Sequence, residues 1–324
     1  QYSICEGALR TNDLAKYCKD NKIKAVGLCD SNNLCGALEF SETIAKSKTQ
    51  PIIGIQINVN YKGHIGKIPL FAKNLEGYKN LIKLSSKSYL EIKEDEEPHC
   101  KIEDLEKYCE GLILFTGSFD GLIGKLFFKN LTDEISKIFN KLKTAFSDNF
   151  YVEIQRHDDI GEKLYEKFLL SMSEKFEVPI IATHEVFYLD KDMHEAHDAY
   201  LCVGEKTYVN VNDRRKYTSA HYLKTAEEMH KLFSDLPEAL ENNLNFPYRI
   251  SYRPKNSLPI LPSIQTNQTK NIDDLLVKES TEGLKEKLNE YVFPFSNVND
   301  KIKITNIYNE RINHEIGIIS KMKY

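Results

Sequence analysis

The stretch PIIATHEVFYLDKDMHEAHDAY, residues 179–200, starts as an unbroken apolar run and turns abruptly into histidines and carboxylates. A continuous apolar run bounded by polar residues reads as a strand covered on both faces. The change of character at His184 and Glu185 then marks a strand end that opens onto a polar site. These two residues do not belong to a zinc-protease HExxH helix, because Tyr188 stands where the second histidine would be. His194 and His197 are three apart in a helical pattern over 190–203. That spacing suits a helical metal pair, but on an exposed helix it reads more simply as a solvated face.

Working outward, five more runs rich in β-branched residues read as strands: 23–30, 51–60, 67–73, 111–117 and 150–155. Helical spacings of three and four separate them, over 12–21, 36–47, 75–90, 131–146 and 161–176. Alternation of this kind predicts an α/β fold with a mostly parallel sheet or a barrel, whose chemistry collects at the C-terminal strand ends. That rule brings together Asp30, Gln56, Thr116 to Ser118, Gln155, Arg156, His157, His184, Glu185 and Phe187.

Residues 1–245 form the expected α/β domain. A stretch with four prolines, 246–264, reads as an extended linker, and 265–324 carries two helical patterns too short to build a core alone. The chain opens at Gln1 without Met and stops inside a helical pattern, so it is expected to be part of a longer protein. The net charge of −4 gives no global field toward nucleic acid or anionic lipid. Seven scattered cysteines without CxxC spacing suit reduced thiols in the cytoplasm. No apolar run is long enough to span a membrane, and no signal peptide is visible.

Asp30, His157 and Glu185 are ligand types on three different strand ends. A hydrolytic metal site needs three or four protein ligands per ion and an open position for water. These three could hold one ion weakly, and cannot supply a multi-metal cluster. The plainer reading is a polar mouth, hydrogen-bonded to itself and to water. Nucleophile-elbow, P-loop and dinucleotide-binding glycine patterns are missing. Gly121 and Gly124 read as a turn into a helix, and Arg214, Arg215 and Lys216 as a surface patch.

Several motifs occur in a fixed order: YSICEGAL (2–9), GLCDSNNLCGALEF (27–40), PIIGIQINV (51–59), FYVEIQRH (150–157) and IATHEVFYLDKDMHEAHDAYLCV (181–203). Together they resemble the polymerase-and-histidinol-phosphatase (PHP) domain that opens the bacterial DNA polymerase III alpha, or C-family, polymerases. The resemblance continues through LLVKESTEGLKEKL and the last helical pattern, which look like the opening of the polymerase palm, so it covers essentially the whole chain. It implies a distorted seven-stranded barrel whose first strand, with a His-x-His pair, would lie upstream of Gln1.

Intact family members hold a metal cluster, and the resemblance can be checked position by position. Ser31, Gln56 and Ser118 stand where the family often has His, Glu and Cys or His. His184, Glu185 and Phe187 stand where it often reads Asn-Asp-x-His. Asp30 and His157 survive and Glu185 is a plausible substitute, so the mouth looks like the remains of a metal site; Zn²⁺ or Mn²⁺ is not expected there beyond one weakly held ion. By resemblance, the parent protein is a DNA-directed DNA polymerase. Its Mg²⁺-binding palm carboxylates would lie beyond Tyr324, and no catalytic residue is expected in this chain. Its implied partners are the proofreading exonuclease subunit, other replicase subunits and primer–template DNA. The alternative is a PHP-type metal-dependent 3′-5′ exonuclease or phosphoesterase.

Overall fold

The computed structural model describes residues 1–93, 95–259 and 271–322. They divide into two compact units, Gln1–Asn256 and Ser257–Tyr324.

The first unit is built on a curled sheet of seven strands among the described residues: β1 (Ala25–Ser31), β2 (Gln50–Tyr61), β3 (His64–Ala72), β4 (Cys100–Lys101), β5 (Leu112–Phe115), β6 (Phe150–Ile154) and β7 (Ile180–Ala182). All six strand runs read from the sequence are present; the two-residue β4 is the addition. The strand order is β1-β2-β3-β5-β6-β7, with β4 on β2. β1 with β2, β2 with β4, β5 with β6 and β6 with β7 pair in parallel, whereas β3 runs antiparallel to both β2 and β5. The sheet is therefore mixed. The turn between β2 and β3 explains why. Lys62 and Gly63 both have positive φ, 52° and 85°, the requirement of a two-residue hairpin turn that reverses the chain.

Ten helices cover this unit among the described residues: α1 (Thr11–Asp20), α2 (Ala37–Lys46), α3 (Leu75–Leu90), α4 (Ile102–Lys107), α5 (Leu122–Phe128), α6 (Thr132–Phe146), α7 (Glu162–Phe176), α8 (His194–Glu205), α9 (Ala226–Leu232) and α10 (Pro237–Asn245). The apolar stripe of α6 (Ile135, Ile138, Phe139, Leu142 and Phe146) is buried, as its spacing predicts. Gly121 leads into α5, in line with the turn-into-helix reading. One side of the sheet forms the main core with Ile55, Ile57, Ile68, Leu70, Leu114 and Val152. Ile52, Phe71, Phe115, Tyr151 and Ile181 form a second core with Phe246 and Ile250. Fully burying side chains of this size stabilises by roughly 1.5–3 kcal/mol each.

The Pro-rich strap expected over 246–264 is not all linker. Phe246 and Ile250 are buried. The Gln50 side chain donates to the Pro247 carbonyl at 3.0 Å, and the Ser251 amide to the Lys73 carbonyl at 2.8 Å. The first unit accordingly runs to Asn256, because the strap's aromatic and aliphatic residues close the underside of the sheet. Residues 260–264 lie outside the described residues. The second unit contains α11 (Ile272–Lys287), short turns of helix and α12 (Lys301–Met322); among the described residues, Leu288 and Ile316 are its buried apolar side chains.

Candidate functional site

The C-terminal ends of β1, β2, β6 and β7 share one rim of the sheet, and the residues after β7 close over it. Because β3 is reversed, residues near its start reach the same rim: Lys67 lies across from Asn58, and Pro69 across from Gln56.

Asp30, His157 and Glu185 occupy this rim but do not form one ligand set. Asp30 accepts from the Ser3 hydroxyl at 2.6 Å. Glu185 accepts from the Gln56 amide at 3.1 Å, and its own backbone N–H donates to His157 Nε2 at 3.2 Å. Among the described residues, the ligand-type side chains whose donor atoms lie within 4.8 Å of one another are instead His157, Asp159 and His221. Sequence reasoning missed Asp159 and His221. His221 sits in the segment after the barrel, held beside the β7 exit by the Phe187 amide on its carbonyl at 3.0 Å.

The geometry of this trio argues against a shared ion. The His157 and His221 rings stack with centroids 4.0 Å apart and planes 1° from parallel. An imidazole binds a metal through a lone pair in its ring plane, at about 2.0–2.1 Å for zinc. Lone pairs in two parallel, face-stacked planes cannot converge on one ion. Each ring also has another task. His157 Nδ1 faces Glu162 at 3.6 Å, and His221 Nδ1 donates to the Glu185 carbonyl at 3.2 Å, leaving Nε2 3.7 Å from Asp159.

The stack continues on both sides. His184 packs on His157 at 4.3 Å. Phe187 packs on His221 at 5.0 Å, on Tyr217 at 4.4 Å and on His197 at 5.3 Å. His184, His157, His221, Phe187 and His197 thus form a column of flat rings that plugs the rim. Phe187 is 6% exposed and fills its place with apolar contacts. Burial first, then neighbouring positive or potentially positive groups, pushes His157 and His184 down to about 2, so both are neutral at any ordinary pH.

His194 and His197 do not face a common ion either. His194 Nε2 lies 2.9 Å from the Tyr217 carbonyl, and His197 Nε2 lies 2.6 Å from that of Glu6, so each sews a loop to α8. The surface-patch reading of Arg214 is overturned. Its side chain is 4% exposed and grips Asp198 through two bonds of 2.6 Å, and it also donates to the Val209 carbonyl. A buried guanidinium needs such a fork-to-carboxylate partner.

A recess beside the column is lined by Asp120, Glu153, Gln155, Asp159, Tyr165 and Glu185, with about 20 Å³ of free volume, room for one water or small ion. Burial raises Glu153 to about 7, even though the Thr183 hydroxyl and the Gln155 amide donate to it. Asp120 is also raised, by burial first and then by Glu185 and Asp159.

On the Ser31 side the rim carries fixed cations. Lys67 Nζ donates to Glu6 at 2.7 Å and to the Ser31 hydroxyl at 2.9 Å, and Arg215 approaches Glu6 at 3.4 Å. Burial alone would raise Glu6, but Lys67, Ser31 and Arg215 hold it below the usual range. The Ser31 hydroxyl is thus bonded to an ammonium.

A protein-family model, the PHP domain, matches residues 1–157. The first unit, with its curled sheet and polar rim, is a PHP domain. The relatives narrow this further. Over its whole length the chain is 36% identical to the DNA polymerase III subunit alpha of Caulobacter vibrioides, 34% to that of Rickettsia bellii and 31% to that of Vibrio cholerae. It spans 28% of the length of each. The chain carries the N-terminal PHP region of the DNA polymerase III alpha family.

Proposed function

We propose that this chain is a non-hydrolytic scaffold at the front of a replicative DNA polymerase. The parent extends a primer by nucleotidyl transfer, using Mg²⁺ held by palm carboxylates beyond Tyr324, and works in the cytoplasm. Residues 265–324 open that palm. The PHP unit packs against the polymerase core and offers a docking platform for the proofreading exonuclease subunit, while primer–template DNA is gripped by the rest of the protein and its replicase partners. Asp30, His157 and Glu185 are vestiges of a metal centre that hold at most one ion, weakly.

The observation that carries this reading is the face-to-face His157–His221 pair capped by Phe187. Metal-assisted hydrolysis needs ligands that converge and leave a position for water; here rings fill the space instead. The test is hydrolysis by the purified chain of single-stranded DNA from its 3′ end, and of p-nitrophenyl phosphate, with Mn²⁺ or Zn²⁺ present. Background rates are expected. Robust turnover abolished by EDTA would overturn the scaffold reading in favour of a PHP hydrolase.

A further inference from the structure

The residues at this rim do not fit the cluster that the fold family implies, and what has taken its place is specific. Lys67 comes from β3, the reversed strand, and its ammonium lies between the Glu6 carboxylate and the Ser31 hydroxyl. Ser31 Oγ also donates to Glu6 at 2.5 Å, so the three groups close a ring of hydrogen bonds. Arg215 closes the outer side through Glu6, the Cys5 carbonyl and Glu205. Asp30, Asp120 and Glu185 are also at this rim. A rim so rich in carboxylates needs positive charge close by, since a buried anion without a cation is costly. A metal ion would supply it from solution. An ammonium on a side chain supplies it permanently.

We infer that Lys67 is a tethered replacement for a bound cation: locked between Glu6 and Ser31, its ammonium neutralises the rim and makes the fold independent of metal supply. This rests on reading the rim as a converted metal centre. The arrangement also ties β3 to the chain's first residues and to the end of β1, so the charge doubles as a clamp.

The test is thermal unfolding of the whole 324-residue chain, in excess EDTA and in excess MnCl₂ or ZnCl₂. The parent's Tm should shift by no more than about 1 °C between the two conditions, and Lys67→Met should lower it by about 5 °C or more. Lys67→Arg, which keeps the charge, should retain most of the stability. Glu6→Gln with Lys67→Met should lose clearly less than the sum of the single losses, as expected of directly coupled partners. If Lys67→Met does not fold, Lys67→Arg and the double variant still decide: soluble, stable proteins support the inference, and unstable ones overturn it. A parent Tm that drops in EDTA, a Lys67→Met protein as stable as the parent, or additive losses would also overturn it. The Lys67→Met and double-variant results would fall on Lys67 alone; a parent Tm that drops in EDTA, or metal-dependent hydrolysis by the parent, would fall on the scaffold reading as well.

Discussion

The imidazoles of His157 and His221 lie face to face, 4.0 Å apart and within 1° of parallel, inside a column of rings that seals the rim of the sheet. Burial in this column keeps His157 and His184 neutral, and it fixes the acid response. The folded values for His157 and His184 are about 2, far below the ordinary 6.5, so between those values the unfolded chain binds protons that the folded chain refuses. Their effect on stability is at its most favourable above pH 6.5 and is lost progressively as pH falls. At pH 5 the expected loss is about 2 kcal/mol per ring. Urea midpoints at pH 5 and pH 7.5 measure it, and His157→Gln should flatten the dependence.

Glu153 responds in the opposite sense. Its folded value of about 7 lies above the unfolded 4.5, so its contribution is complete below pH 4.5 and is lost as pH rises through 7. Glu153→Gln should be near neutral at pH 5 and should stabilise the chain at pH 8 by roughly 1–3 kcal/mol. A variant equally destabilised at both pH values would show that the carboxylate is ionised and satisfied in the fold.

Phe187 can be tested in two directions. Phe187→Ala should cost about 3–5 kcal/mol by opening a cavity in the column. Phe187→His puts a metal-ligating side chain at this place, yet it should leave hydrolysis at background, since the neighbouring rings are still stacked and Lys67 still occupies the Ser31 side. Denaturant midpoints and a Mn²⁺-supplemented nuclease assay read the two outcomes.

Arg214 and Asp198 form a forked ion pair that also holds the loop leading back from α8. Arg214→Ala leaves Asp198 without its partner and should lower the denaturant midpoint. Amide hydrogen exchange should quicken first in residues 206–216. Arg214→Lys should recover only part of the loss, because an ammonium cannot reproduce the two-pronged contact.

The sheet was legible because its strands are long apolar runs, whereas the direction of one strand was not. Read as a parallel unit, the run at 67–73 puts its first residue at the far end of the sheet, so Lys67 drew no notice. The clue was local: Lys62-Gly63 between two adjacent strand runs is a hairpin signal. His157 and Glu185 were found because they directly follow strands. His221 and Asp159 could not be found that way. His221 reaches the rim from a segment whose strand-like pairing is the lone bridge of Tyr188 to Tyr222, too short for any periodicity. The buried role of Arg214 depends on a partner sixteen residues earlier, and the strap's entry into the core depends on a surface at the other end of the chain, so neither leaves a local pattern.

β1 and β7 lie at opposite ends of the strand order, and residues 1–8 cross between them: Ser3 bonds Asp30, the Ala8 amide donates to the Phe187 carbonyl, and His197 meets the Glu6 carbonyl. Residues 1–8 therefore meet Asp30 and Ser31 soon after they are made, but reach Phe187 and His197 only after about 180 more residues have been made. At ribosomal speeds of about 5–20 residues per second, that is a wait of about 10–40 s. Over that interval the apolar face of α1 already has α2 and β2 to pack on, whereas residues 1–8 lack the side of the rim that the residues after β7 supply. Closure of the rim is thus a late event that joins two distant parts of the nascent chain, and slowing or truncating synthesis before α8 should leave the seven strands with an unsealed, aggregation-prone rim rather than a smaller stable domain.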